Sequence, residues 1–124
     1  MRIFAAAAAL LCAGALCYPT TASAAASAEQ RLAHISIATA GHGTPVVLIP
    51  GLGSPRDVWG PLVAQLARNH RLFLVQVNGF GGSEPGANLQ PGVLDGIVAD
   101  VHAYLAARHI GAAPVIGHSM GGLA

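Results

Sequence analysis

The chain has 124 residues, six basic and five acidic side chains for a formal net charge of +1, and a hydrophobic content of 53%. A near-neutral sequence without lysine has no electrostatic footprint for nucleic acid or anionic lipid, and it cannot supply a P-loop or Schiff-base lysine. Both cysteines, Cys12 and Cys17, lie close to the N-terminus, so a chain cleaved after them has no disulfide, thiolate or cysteine–metal chemistry.

In chain order, Met1-Arg2 gives a short positive start, Ile3 to Leu16 is an uncharged Ala/Leu-rich run, Pro19 breaks it, and Ala22-Ser23-Ala24 offers small residues for cleavage. This is the layout of a secretory signal peptide over residues 1–24, and its apolar run is shorter than the roughly 20 residues of a membrane span. Cleavage after Ala24 is preferred over Ala26 or Ala28. Export to the periplasm or beyond is expected, with no stable membrane association after cleavage. Residues 25–32 read as a flexible mature N-terminus, and residues 33–124 as the N-terminal part of a folded domain.

Ala33, Ile35 and Ile37 alternate with polar positions, which predicts a half-buried strand. After turn residues from Ala40 to Pro45, the unbroken run Val46-Val47-Leu48-Ile49 predicts a strand covered on both faces. A glycine-rich loop, Pro50 to Pro55, leads to a predicted helix from about Asp57 to Asn69, with Pro61 in its first turn. A strand is expected over Arg71 to Val77, a second loop over Asn78 to Gly86, and a second helix over Gly92 to His109, ended by Gly111 and Pro114. Val115-Ile116 then enters Gly117-His118-Ser119-Met120-Gly121. The alternation of strands and helices predicts an α/β fold with a mostly parallel central sheet and helices on both faces. In such sheets ligands sit at the carboxyl ends of the strands, where both glycine-rich loops and the serine turn fall.

Gly-x-Ser-x-Gly after a short apolar strand is the pattern of a sharp turn with a serine at its apex. A Cβ at Gly117 or Gly121 would collide with neighbouring backbone in a turn that tight. Taken in order, Pro45-Val-Val-Leu-Ile-Pro-Gly-Leu-Gly53, Asn78-Gly-Phe-Gly-Gly-Ser83 and Gly117-His-Ser-Met-Gly-Gly122 resemble the α/β-hydrolase superfamily, over the chain from about Ala33 onward. The resemblance implies a serine hydrolase of ester or related acyl bonds, with Ser119 as nucleophile and the backbone N–H groups of Leu52 and Met120 as oxyanion donors. It implies no cofactor and a small-molecule acyl substrate. Serine at the apex separates the chain from the dehalogenase and epoxide-hydrolase branches, which carry Asp there. Two positions depart from the pattern: Pro50-Gly51 stands where His-Gly is usual, and Gln76 and Asn78 stand where Asp and then Arg or Pro are common.

His118 adjoins the serine, but neighbours on a sharp turn point apart, so it is not read as the base. Asp95 and Asp100 read as polar helix positions, Trp59 as a core or pocket-wall anchor, and no histidine pair has zinc-ligand spacing with a carboxylate nearby. Triad order in this fold runs serine, acid, histidine, which leaves the acid and the base outside these residues. The expectation is an N-terminal part of a longer hydrolase, inactive alone and prone to aggregate. Alternatives are a non-catalytic binding member or inactive fragment, or a dinucleotide-binding domain. The last is disfavoured because Arg56 replaces the third glycine of its fingerprint, and the next strand ends without an acid for a ribose.

Overall fold

The alternation at Ile35 and Ile37 and the apolar run ending at Ile49 become parts of one sheet in the computed structural model, which describes residues 29–124. The expected signal peptide and the first half of the expected flexible segment, residues 25–28, lie outside the described residues. The strands are β1 (Gln30–Arg31), β2 (Ile35–Ala40), β3 (Thr44–Ile49), β4 (His70–Val77) and β5 (Val115–Gly117), in the spatial order β1-β2-β4-β3-β5. β3 is parallel to both neighbours, with Leu48 opposite Leu74 of β4 and Ile116 of β5. β2 runs antiparallel to β4 and to β1, so the sheet is mixed, with one strand reversed in an otherwise parallel set.

The two side-chain rows of this sheet bury different helices. Ile35, Ile37, Val47, Phe73, Val75 and Val77 pack with Ile97 and Tyr104 of α2 (Val93–Ala107). On the opposite face Val46, Leu48 and Leu72 pack against Leu62, Val63 and Leu66 of α1 (Gly60–Leu66) and against Trp59. Each such buried aliphatic side chain contributes about 1.5–3 kcal/mol relative to exposure. At the sheet edge beside β3, Val115 and Ile116 of β5 remain exposed. Among the described residues no helix is long and apolar enough to cross a membrane.

The helices are shorter than the sequence suggests, for identifiable reasons. The first begins as a 3₁₀ turn over Arg56–Trp59, becomes α-helical only where Pro61 fits the first turn, and stops at Leu66, where the N–H of Ala67 donates to Val63 O. Gly92 is left-handed (φ 91°) and therefore stands outside α2. That helix ends on His109 rather than Gly111. His109 takes the left-handed conformation (φ 54°) while its N–H donates to Ala106 O and that of Ile110 donates to Leu105 O, the paired bonds of a Schellman closure.

The segment before β2 is tied down as well. Gln30 and Arg31 pair with Ile37 and Ser36, and Arg108, lying 3.6 Å over the Tyr104 ring, donates to Gln30 Oε1. Glu29 accepts from Arg56 at 2.7 Å. The Ser36 hydroxyl foremost, and then Arg56, hold the Glu29 carboxyl below its usual range against the opposing effect of partial burial. A depressed carboxyl stabilises the fold above its unfolded-state value, and that contribution is lost as the pH falls through the lower folded-state value. Glu29→Gln should therefore flatten this acid limb in urea unfolding at stepped pH. At neutral pH it should cost less than about 1 kcal/mol, because half the Glu29 side chain is solvent-exposed.

Candidate active site

Backbone bonds fix where the serine turn stands. Val47 N–H donates to Pro114 O at 2.9 Å and His118 N–H to Ile49 O at 3.1 Å, so β5 lies along β3 to its carboxyl end. The chain then turns sharply. Ser119 is left-handed (φ 51°) and exposed, and Ser119–Gly122 forms a 3₁₀ turn in which Gly121 N–H donates to His118 O at 2.9 Å. An L-residue in that conformation costs about 1–2 kcal/mol, held in place by its surroundings. The flanking glycines supply the room: a Cβ on Gly117 would stand 2.2 Å from Gly121 O, and one on Gly121 would stand 2.2 Å from Ile49 O.

The two glycine-rich loops meet this turn. Gly51 lies under the His118 ring, where a Cβ would come within 2.7 Å of Nδ1, and the ring meets Trp59 edge-on at 6.5 Å. His118 is thus occupied against Gly51 and Trp59. Gly53 O accepts from Gly81 N–H at 3.2 Å, which docks the loop after β3 onto the loop after β4. Ser83 closes the latter loop, its Oγ accepting from Gly79 N–H at 3.1 Å and lying within donor distance of Phe80 O at 2.8 Å.

Between the loops and α2 lies an open cavity of about 440 Å³ walled by Leu52, Phe80, Leu89, Val93, Leu94 and Met120. Leu52 and Met120 are thus brought to one cavity beside the serine turn. Among the described residues, neither of their N–H groups donates to another protein group. Asn78 and Asn88 are the cavity's polar side chains, and their amides are largely engaged elsewhere. Asn88 Nδ2 donates to His34 O at 2.8 Å and Asn78 O at 2.9 Å, and its Oδ1 is 2.7 Å from His34 Nδ1. Asn78 Nδ2 donates to Leu32 O and Ala33 O. No charged side chain lines the cavity.

Four residues not assigned a role from the sequence shape this site: His34, Asn88, Arg56 and Gln76. The first pair fastens the Gly86–Leu89 turn to the strand that begins at Ile35. Asp100 accepts from His34 N–H at 2.7 Å, a structural use in keeping with a polar helix position. His70 pairs with Thr44 Oγ1 at 2.6 Å. Among the described residues no group of three or more His, Cys, Asp or Glu side chains is disposed to hold a metal ion.

A sequence profile described as the alpha/beta hydrolase fold matches residues 44–124. The chain belongs to the alpha/beta hydrolase fold family. It is 35% identical over 81 residues to an N-formylmaleamate deformylase of Pseudomonas putida, covering 65% of this chain and 30% of that protein. It is 35% identical over 85 residues to a pimeloyl-[acyl-carrier protein] methyl ester esterase of Aliivibrio salmonicida, covering 68% of this chain and 30% of that one. A solved alpha/beta hydrolase fold protein from Burkholderia ambifaria superposes with a TM-score of 0.61 at 31% identity, over 71% of this chain and 32% of the other. The chain therefore spans about 30% of the length of each of these two curated relatives. As an alpha/beta hydrolase fold protein it uses the glycine-rich loop after β3 for contacts with the β4 loop and the serine turn, which replaces the dinucleotide-binding alternative.

Proposed function

We propose that the complete protein is an exported serine hydrolase that cleaves an ester or related acyl bond through an acyl-enzyme on Ser119. The observation that carries this is the exposed, left-handed Ser119, set between two close-packed glycines beside the cavity that Leu52 and Met120 line. In the first step Ser119 Oγ bonds to the acyl carbon while its proton passes to a base outside the described residues. The carbonyl oxygen takes the negative charge, and the N–H groups of Leu52 and Met120 are the donors for it. Each such donor is worth roughly 3 kcal/mol of barrier. The bond to the leaving group then breaks, with the proton going to that group. Water next adds to the acyl carbon, and the acid is released as Ser119 recovers its proton.

A deformylase and a methyl ester esterase, as the relatives are named, both break a bond at an acyl carbon, which suits this geometry. The cavity wall suits an uncharged, apolar part of the substrate, because a charge placed there meets no partner to offset its desolvation. Export rests on the leader pattern of residues 1–24. The deciding experiment is to treat the full-length protein with a fluorophosphonate and map the adduct by peptide mass spectrometry. The adduct is expected on Ser119 and lost in Ser119→Ala; an adduct on another residue, or one that persists in the variant, refutes the assignment.

A further inference from the structure

We propose that Gln76 is a positioning residue that clamps the Leu52 loop to the Phe80 loop and so sets the oxyanion donor. This rests on the serine-hydrolase reading above. Gln76 stands near the carboxyl end of β4, is 8% exposed, and lies opposite Ser36 of β2. Its Oε1 accepts from Arg56 N–H at 2.8 Å. Its Nε2 donates to Phe80 O at 3.0 Å and to Val77 O at 3.2 Å. Only one amide orientation satisfies all three contacts, since the N–H requires an acceptor and both carbonyls require a donor.

These bonds close a circuit around the oxyanion side of the site. Arg56 is the downstream anchor of the loop that carries Leu52. Its guanidinium is gripped from the far side by Ser36 Oγ at 2.6 Å and Glu29 at 2.7 Å. Phe80 is the residue before Gly81, whose N–H returns to Gly53 O at 3.2 Å, and Gly81 packs so closely on Pro55 that a Cβ would stand 2.6 Å away. The amide of Gln76 therefore joins both loops from beneath while Gly81 joins them from above. A carboxylate at position 76 could accept from Arg56 N–H, but it could not donate to the two carbonyls and would face their oxygens instead. An oxyanion donor has to lie within about 0.4 Å of its working distance, so a loop released at one anchor loses transition-state stabilisation before it loses substrate contacts.

The test compares a p-nitrophenyl ester with the matching thionoester on the full-length enzyme, in wild type, Gln76→Glu, Gln76→Met and Ser119→Ala. A site preorganised for oxygen disfavours the larger, weaker-accepting sulfur, so the ester-to-thionoester ratio of kcat/KM reports the oxyanion donors rather than the fold. In both Gln76 variants the ratio is expected to fall by about tenfold or more, through kcat, with KM within about twofold of wild type. Gln76→Glu keeps the shape and the acceptor, so it tests the missing donor even if Gln76→Met fails to fold. An unchanged ratio in Gln76→Glu overturns the proposal, whatever happens to overall activity. Full turnover by Ser119→Ala would instead overturn the serine reading itself, independently of Gln76.

Discussion

Replacing Ser119 with glycine should leave a protein that is more stable and catalytically dead. In the proposed mechanism the hydroxyl is the nucleophile, and loss of the serine alone in such an enzyme costs about 10⁶-fold in kcat. The backbone at this residue has φ 51°, a conformation glycine enters without the Cβ clash that burdens serine. Ser119→Gly is therefore expected to unfold at higher urea, by about 1 kcal/mol, while Ser119→Ala matches wild type in stability. Both variants should lose p-nitrophenyl ester hydrolysis by at least about 10⁴-fold. Strain that is relieved only when activity is removed is the outcome expected if Ser119 is held in place for the proposed chemistry. A Ser119→Gly protein less stable than Ser119→Ala would remove that interpretation.

The second large effect is steric. Gly121→Ala should destabilise the protein by about 3 kcal/mol or more, because the added methyl would stand 2.2 Å from Ile49 O at the end of the central strand. Relief requires β5 and β3 to part at the turn, which also displaces Met120, so activity should fall with stability. Gly122→Ala is the control. Its added methyl meets only Gly117 O at 3.8 Å, an ordinary contact, and its stability should change by less than about 0.5 kcal/mol. Equal urea midpoints for the two variants would mean that the turn yields more easily than its contacts imply.

Much of this arrangement can be read from the chain, because strong local signals and the tertiary contacts agree. Val46 to Ile49 is apolar at every position and is buried from both faces, and the Gly117–Gly121 spacing reports a close approach that only glycine permits. Where the readings miss, distant partners decide. Nothing in Gln30-Arg31 signals a strand; its pairing comes from β2, and its anchorage from Arg108 and, through Glu29, Arg56. His109 ends α2 in a conformation better suited to glycine, held by two helix carbonyls, so the glycine two residues later misleads. Gln76 and Arg56 read from sequence only as departures from familiar patterns. Their use appears once β2, β4 and the loop after β3 lie side by side, because the contacts join residues twenty or more positions apart.

The register of β5 also sets an order along the chain. Val115 pairs with Val47 across the two helices and β4 that lie between them in sequence, and it lands on the edge of β3 that those elements leave vacant. In chain order both helices and β4 therefore precede the residues of the serine turn. The left-handed bend at Ser119 is thus braced entirely by residues that come earlier in the chain, with Ile49 O against Gly121 and Gly51 under His118.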